Sequence, residues 1–447
     1  MRARCGLFLI APLLLAAGDG AERGPLQLSL KRAVEMALSP EGNTRVQLAG
    51  ESVKQAETRS AQARAALLPD FEGSLSYQNQ TVNLAAFGIQ LYIPIPNFQL
   101  PTLVGPFDVF DARATAQQSV FDFSSIRRFQ ASKVAVTAAK TDADSTDEQV
   151  AGQVARAYLA ALRADANVEA VKSNVTLAEA VLKQAENLKS AGTGTGIEVT
   201  RARVQLSDQQ QRLLVAVNDR RRAHLQLLRT MGMRLDTTLE LTDRLQYVPV
   251  DALTLEQAQA RALDSRPDLK AQQEREQSAR LTNAATKMER LPSLAAFANY
   301  GSIGAIGTGN DHILPTRTYG FSLKVPVFDG GRRDARRAET LSQYRAEKIR
   351  TNDLKEQVEL DVRLALDSLN SAEDQVKVAQ EGLQLSENEL TQARRRYDAG
   401  VAVGLEVTDA QTRLERAQDN RIAALFNYNL ARIDLAQAMG AVRREIR

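Results

Sequence analysis

The sequence predicts a mainly α-helical protein with a small β part, built as two copies of one unit in which strands precede a long helical hairpin. Three observations predict this fold class. Motifs recur in the same order in both halves of the 447 residues, long proline-free segments carry small and apolar residues at helical spacing, and short segments alternate apolar and polar residues. They favour one uniform architecture over the two or three ordinary domains that this length allows.

The first 21 residues are expected to be a signal peptide. Arg2 and Arg4 give a basic start, residues 7–17 form a short apolar run, and small residues follow. A buried N-terminal helix is the alternative. The run is too short to span a bilayer, and no later stretch reaches about 18 apolar residues. The only cysteine, Cys5, precedes the run, so the mature chain would have no disulfides and no thiolate metal ligands. We therefore expect an exported protein without membrane-spanning helices.

The internal repeat is clearest at two glycine-rich segments. Residues 191–200 and 399–408 share a glycine turn followed by Glu-Val-Thr, and they lie 208 residues apart. The Met-Gly pairs at Met231 and Met439 have the same offset, so one register holds across the second part of each copy. Two copies are too few for a solenoid, which needs at least about three. A duplicated unit that builds part of a ring is the better interpretation.

Helical periodicity dominates the long proline-free segments. Between Val154 and Ala185, small and apolar residues recur at alternating intervals of three and four, which is the seam of a coiled coil. Glycines can take the left-handed conformation that ends a helix, so each glycine segment predicts a turn between two helices. Coiled coils lined by alanine bury little apolar area, and such helices need neighbours on two sides. Sheets of helices closed into a cylinder, an α-barrel, meet this need.

Alternation of apolar and polar residues predicts strands ahead of each hairpin. Tyr319, Phe321 and Leu323 alternate with small or polar residues, which is the period of a transmembrane strand. A soluble hairpin beside a coiled coil is the alternative. Four strands cannot close a barrel, since the smallest known have about eight. If these strands lie in a membrane, the chain must oligomerise to pair its strand edges.

The predicted elements define two structural repeats. The first repeat covers residues 22–232, with strands at about 70–81 and 107–121 and helices at about 124–190 and 198–232. The second covers residues 233–447, with strands at about 293–303 and 317–328 and helices at about 331–398 and 405–440. The copies differ chiefly in a longer loop between the first two strands.

No catalytic, cofactor or metal site is expected. The two histidines, His224 and His312, have no partner at metal-ligand spacing. The glycine segment at 192–196 lacks the Lys-Ser/Thr of a phosphate-binding loop and does not follow a strand. A formal net charge of +3 is too small to imply nucleic acid as a partner. We therefore predict that the protein is not an enzyme.

The order of these motifs, present twice between Leu26 and Val442, resembles the TolC-like outer membrane efflux protein family. The resemblance rests on the opening Leu-Ser-Leu at residues 28–30, a Leu-Pro before a strand, Val-Phe-Asp-Gly-Gly at 327–331, the glycine turns and the Met-Gly ends. It implies a homotrimer in which each chain gives four strands to a twelve-stranded barrel and its hairpins to a periplasmic α-barrel. The protein would then lie in the outer membrane of a Gram-negative bacterium with a long periplasmic extension.

The resemblance also implies a function and partners. Members are the passive exit ducts of tripartite efflux or type I secretion systems, for small molecules or polypeptide. They join an inner-membrane pump, proton-driven or ATP-driven, through a periplasmic adaptor (membrane fusion) protein, and outer-membrane lipid surrounds their strands. The alternative is a soluble periplasmic coiled-coil interaction or adaptor protein. Weak alternation near Phe107 and Ser293 favours that alternative, and the duplicated strand pairs weigh against it.

By the same resemblance, residues at the glycine turns form a periplasmic gate and an adaptor surface. Repeated carboxylates at a narrow mouth would attract cations; charge at a solvated helix start is the alternative. Ala402 stands where some members carry a latch arginine. The expected gate residues are Glu406, Asp409, Glu198 and Tyr397, and the expected adaptor contacts are Gly196, Ile197, Val403, Gly404 and Leu405.

Overall fold

A computed structural model describes residues 25–88, 102–250, 253–306 and 312–446. The expected signal peptide, Cys5 and most of the long loop between the first two strands lie outside these ranges. The described helices are α1 (Leu30–Ala37), α2 (Thr44–Ala65), α3 (Phe123–Ser190), α4 (Gly196–Met231), α5 (Leu255–Ser265), α6 (Pro267–Met288), α7 (Arg332–Asp398), α8 (Gly404–Ala438) and α9 (Val442–Glu445). The described strands are β1 (Leu26–Leu28), β2 (Asp70–Asn83), β3 (Leu103–Phe121), β4 (Leu239–Leu241), β5 (Ser293–Ile306) and β6 (His312–Lys324). The predicted class, mainly α with a small β part, is confirmed.

Two very long helices form the frame of the molecule. Helices α3 and α7 contain 68 and 67 residues, which is about 100 Å each at about 1.5 Å per residue. Asp122 caps α3 by accepting a hydrogen bond from the Ser124 N–H at 2.9 Å. At Gly152 a Cβ atom would lie 2.7 Å from Oε1 of Gln437 on α8. Small residues on α3 therefore allow the close helix packing that the alanine-rich seams predict.

The helices form a layer with α3 in its interior. In the half that ends in the glycine turns, α3 packs on both α4 and α8, and α8 packs on α7. Side chains of α4 also reach α8 directly in this half. In the half that leads to the strands, α3 packs between α2 and α6, and α6 packs on α7. Within the described residues, α7 therefore borders one edge of the layer, while α4 and α2 border the other.

The shorter helices stack end to end, so the α4 edge and the inner α8 row of the layer each continue into the half that leads to the strands. The Asn43 side chain, which caps α2, donates a hydrogen bond to the Thr230 carbonyl of α4 at 2.6 Å. In the second repeat, Ser265 donates to the Met439 carbonyl just past α8 at 2.5 Å. Helices α2 and α6 thus prolong α4 and α8. Neither α2 nor α6 was predicted from the sequence.

A compact hydrophobic core midway along α3 joins the two repeats. Strands β1 and β4 pair in parallel, although more than 200 residues separate them. The buried Tyr158 donates its hydroxyl to the Leu28 carbonyl at 2.9 Å and lies 2.8 Å from Oδ2 of Asp243. Burial and the nearby Asp243 carboxylate raise the pKa of Tyr158 well above its usual range, so the phenol remains a neutral donor. This contact ties the start of the chain to the linker between the repeats.

The remaining four strands form one antiparallel sheet in the order β2-β3-β5-β6. Register places Phe71, Ala116, Ala298 and Tyr319 in one row across the sheet, and the apolar face continues along β6 through Phe321 and Leu323. The next row, on the other face, is polar: Glu72, Thr115, Asn299 and Thr318. One face of the sheet is thus apolar and the other polar.

Strand β6 begins and ends earlier than the alternation predicted. It runs from His312 to Lys324, whereas the alternating residues suggested about 317–328. Lys324 pairs with Ser293, the first residue of β5, so later residues have no β5 backbone to pair with. Pro326 also lacks an N–H to donate. None of the described helices is both long enough and apolar enough to cross a bilayer.

Candidate functional site

The two glycine turns lie together at the end of the helical layer and share one geometry. Gly192 and Gly400 have positive φ angles of 78° and 70°. The N–H of Thr193 bonds the Leu188 carbonyl at 3.0 Å, and the N–H of Val401 bonds the Arg396 carbonyl at the same distance. These equivalent bonds lie 208 residues apart. Because both turns close the same way, the sequence repeat is also a structural repeat at this end.

Glu198 connects the first turn with the second. Its Oε2 accepts a hydrogen bond from the Thr195 N–H at 3.1 Å, which completes a capping box at the start of α4. Its Oε1 faces the second turn: a Cβ atom built on Gly404 would lie 3.6 Å from Oε1 and 3.8 Å from the hydroxyl oxygen of Tyr397. Both distances are ordinary van der Waals contacts, so the Gly404 backbone lies close to the Glu198 and Tyr397 side chains. The structure thus brings together three residues that the sequence analysis named.

Tyr397 lies between the hairpins rather than on the surface. It is 8% exposed and packs in a cluster with Leu390, Val407 and Ala410 of its own hairpin, against partly buried residues of α3. Burial, followed by the negative charges of Glu198 and Asp398, raises the pKa of Tyr397. Asp398 in turn accepts a hydrogen bond from Gln184 of α3. These contacts hold the second turn against the first hairpin.

The two acidic residues after the second turn differ in their surroundings. Glu406 pairs with Arg396, whose Nε lies 3.2 Å from Oε1. Asp409 is three residues further along α8, on the same side of the helix, and is exposed. It has no ion pair within the described part of the chain. Arg396 was not among the gate residues expected from the sequence.

The tips of both hairpins expose apolar side chains. Gly196 and Gly404 are the first residues of α4 and α8. Ile197, Val403 and Leu405, at the same tips, are each more than half exposed. The five residues expected to contact an adaptor thus lie at one end of the molecule and form an apolar surface there.

Deeper between the hairpins, the structure reveals a buried carboxylate that the sequence analysis did not single out. Glu415 of α8 is 7% exposed and accepts a hydrogen bond from Gln209 of α4 at 2.8 Å. Arg212 of α4 lies 3.1 Å from its other oxygen. Burial raises the pKa of Glu415, and these two partners oppose the rise. Glu415 thus links the two hairpins across the layer.

This environment predicts a pH-dependent contribution to stability. Because the pKa of Glu415 is raised in the folded protein, its contribution is fully present below the unfolded pKa of about 4.5 and is lost as pH rises through the folded value. Glu415→Gln keeps the neutral form at every pH. The melting temperature of the wild type relative to this variant should therefore fall as the pH rises above about 4.5.

A matched variant separates burial from loss of charge alone. Glu389→Gln removes a more exposed carboxylate, which pairs with Arg413 at 2.8 Å. Thermal melts of both variants at several pH values, followed by circular dichroism, give the comparison. A relative melting temperature of Glu415→Gln that does not change with pH would contradict the assignment.

Comparison with known proteins gives this geometry its context. The family model described as outer membrane efflux protein matches residues 40–233 and 259–441, most of the chain. The chain belongs to the outer membrane efflux protein family. This outer membrane efflux protein is therefore the exit channel of a Gram-negative export system, with its helices extending into the periplasm. The family resemblance and the location predicted from sequence are confirmed.

Individual relatives of this outer membrane efflux protein are distant in sequence. The pyoverdine export outer membrane protein OpmQ of Pseudomonas putida is 25% identical over 400 residues, which cover 88% of this chain and 82% of the relative. Outer membrane protein TolC of Vibrio cholerae is 22% identical over 350 residues, covering 76% and 78% of the two chains. The CmeC outer membrane channel of Campylobacter jejuni has the same fold, with a TM-score of 0.76 at 18% identity over 92% of this chain and 85% of that chain.

Proposed function

We propose that three copies of this chain form the closed exit duct of a tripartite efflux or type I secretion system. The duct passes small molecules or polypeptide without catalysis of its own. A periplasmic adaptor and an inner-membrane pump, proton-driven or ATP-driven, deliver the cargo. One observation carries the proposal: the described sheet and the described helical layer are both open, with unpartnered edges that a second copy would cover.

The sheet supports this proposal through its two faces. Phe71 and Tyr319 on the apolar face are 78% and 79% exposed, although both are large. Strands β2 and β6 are the edges of the sheet within the described residues, so their outer backbone groups have no partner there. In a bilayer, such edges must pair. Pairing β2 of one copy with β6 of the next places apolar side chains toward lipid and polar ones toward a lumen.

The helical layer supports the same closure. Five apolar residues of α7 share one side of the helix, opposite the side that buries Val358, Val362 and Leu369. Their spacing of 11, 4, 14 and 7 residues keeps them within a narrow angular range. The exposed residues on this side, here called the α7 stripe, are Ile349, Leu360, Leu364, Val378 and Leu385.

The opposite edge of the layer is also apolar and exposed. Helix α4 presents Val204, Leu214 and Val215, each more than half exposed. A ring of copies would set the α7 stripe of one chain against the α4 edge of the next. Three copies contribute twelve strands, which exceeds the minimum of about eight for a closed barrel.

Mass measurement tests the assembly. The protein should be extracted from the outer membrane only with detergent. One full chain has a mass of 48.9 kDa, and the mature chain is slightly lighter after signal-peptide removal. Mass photometry should give three times the mass of the mature chain. Recovery as a periplasmic monomer without detergent would contradict the duct. That result would instead favour the alternative of a soluble periplasmic adaptor.

At the periplasmic end, we assign the gate to Glu406, Asp409, Glu198 and Tyr397. Threefold symmetry would bring three copies of each carboxylate to a narrow mouth, where they attract cations. Arg396 partly neutralises Glu406, so Asp409 supplies more of the free negative charge. Opening requires the second hairpin to leave the Glu198 and Gln184 contacts. Ala402 provides no side chain for a charged latch, so the Tyr397 cluster holds the closed form.

The acidic gate predicts block by multivalent cations. Asp409→Asn should weaken block of single-channel current by hexamminecobalt(III) about tenfold or more, because three unpaired charges are lost in the ring. Glu406→Gln should have a smaller effect, since Arg396 already compensates this charge. Equal block in the wild type and Asp409→Asn would place the acidic constriction elsewhere.

The tips are the proposed adaptor surface. Ile197, Val403 and Leu405 are exposed apolar residues that flank Gly196 and Gly404 at the helix starts. An adaptor hairpin with an apolar tip would bury these three side chains, and its backbone could approach closely at Gly196 and Gly404, which have no side chain. Contact at this end would also act directly on Glu198 and Gly404, which connect the two turns.

A further inference from the structure

We propose that a basic cavity beneath the sheet binds an oxyanion group, such as carboxylate, sulfate or phosphate, of molecules that pass through the duct. The cavity has a volume of about 210 Å³ and lies where five segments meet. It is lined by the start of α3, the end of α6, the start of β5, the end of β6 and the start of α7. Its lining includes Ser124 and five cationic residues, Arg128, Lys324, Arg332, Arg333 and Arg336.

Positive charge exceeds negative charge around this cavity. Five of its lining side chains are cationic and two are acidic. One of the acids, Asp122, is already engaged as the cap of α3, where it accepts bonds from Ser124 N–H and from the Ser125 hydroxyl. The other, Glu289, is shared between two arginines, Arg128 and Arg336. One carboxylate therefore serves two guanidinium groups, which leaves cationic donors available.

Two of the cations have no acidic partner at all within the described residues. Lys324 and Arg332 make no ion pair there, while Arg333 pairs with Asp329 at 3.4 Å. Arg332 is also the first residue of α7, where the Asp329 carboxylate already accepts the Arg333 N–H at 3.1 Å. The indication of a ligand therefore comes from the side chains: the guanidinium of Arg332 and the ammonium of Lys324, both unpaired within the described residues, favour an anion with several oxygens.

A buried hydroxyl provides an independent indication of a ligand. Ser124 lines the cavity, is 4% exposed, and its Oγ has no hydrogen-bond partner within the described part of the chain. Buried polar atoms are rarely left without a partner. An oxyanion oxygen in the cavity would accept a hydrogen bond from this hydroxyl. The planar guanidinium of Arg332 could donate two parallel hydrogen bonds to the same anion, and the ammonium of Lys324 would add a compact positive charge.

The position of the cavity decides where the anion comes from. Ser293 and Lys324 pair in register and both line the cavity, so it opens on their face of the sheet. The neighbouring pair, Leu294 and Leu323, points to the opposite, apolar face. In the proposed duct, on which this step rests, the polar face surrounds the lumen. The ligand therefore arrives through the duct, and a phospholipid headgroup outside the barrel is the less suitable source.

Single-channel recording tests the site in the full protein. In a bilayer of phosphatidylcholine at low salt, inorganic pyrophosphate should block current through the wild type. The double variant Lys324→Gln, Arg332→Gln should need about tenfold more pyrophosphate for the same block, because two charged donors are lost. The control is Arg280→Gln, an exposed cation of α6 outside the cavity, which should leave block unchanged. Equal block in the double variant and the wild type would overturn the proposal.

Calorimetry separates this inference from the proposed duct. Pyrophosphate should bind the detergent-solubilised wild type, and the double variant should bind it about tenfold more weakly. Binding that depends on Lys324 and Arg332 would support the site even if no channel forms, whereas a channel without such binding would overturn the site alone. Binding of phosphatidylglycerol, but not of pyrophosphate, would overturn the assignment to transported anions.

Discussion

The double variant Leu364→Glu, Val378→Glu is expected to be a monomer, whereas the wild type is expected to be a trimer. These residues of the α7 stripe are 56% and 70% exposed in the single chain. Burying a leucine or valine side chain stabilises an assembly by about 1.5–3 kcal/mol, and a buried unpaired carboxylate adds a further cost. With three interfaces, each affected twice, the trimer should not form. Mass photometry in detergent gives the result directly.

A control on the same helix shows whether the position of the new charge matters. Asn370 is exposed on α7 and lies about a quarter turn from the middle of the stripe. Asn370→Glu should leave the trimer intact, because its side chain is not directed along the line of the stripe. A double variant that still assembles as a trimer would show that α7 does not form the contact between copies.

Alanine at Gly232 is expected to destabilise the protein by about 2–5 kcal/mol. Gly232 has a φ of +76°, a conformation that costs an L-residue about 1–2 kcal/mol. A Cβ atom there would lie 2.6 Å from the Gly42 carbonyl oxygen, so backbone at the junction of α4 and α2 would have to move. Such overpacking typically costs about 1–3 kcal/mol more. Both effects act where two helices stack end to end.

Gly192 provides the matched control, because only the first of these effects applies there. Its φ is +78°, nearly the same, and a Cβ would have no atom within 4 Å. Gly192→Ala should therefore lose only about 1–2 kcal/mol. Melting midpoints from circular dichroism should rank the wild type first, Gly192→Ala second and Gly232→Ala last. If both variants melt alike, the close contact at Gly42 is not important for stability.

Much of the candidate gate could be predicted from the sequence because it repeats. The two glycine turns, followed by Glu-Val-Thr, mark the same structural point twice. The contacts that distinguish the gate residues could not be predicted in this way. The pairing of Arg396 with Glu406 and the approach of Glu198 to Gly404 depend on side-chain directions, and the second joins residues far apart in the chain.

The basic cavity illustrates the same limit. Arg332 and Arg333 follow a glycine pair in the sequence, and each of them taken alone is typical of a solvated helix face. Arg128, Lys324 and Ser124 lie near these two arginines only because α3, α6 and α7 meet the start of β5 and the end of β6 in the folded protein. Those segments are separated by up to about 200 residues, and no local pattern links them.

The sequence by itself determined the elements that follow a local period: the long helices α3 and α7, the glycine turns and the alternating strands. Each depends on neighbours within a few residues, through helical or pleated geometry. The tertiary structure alone decided the rest. Helix α2 buries no residue and shows no apolar period, so its place beside α3 was not readable. Parallel pairing of β1 with β4 and the end of β6 opposite the start of β5 depend on backbone partners distant in the chain.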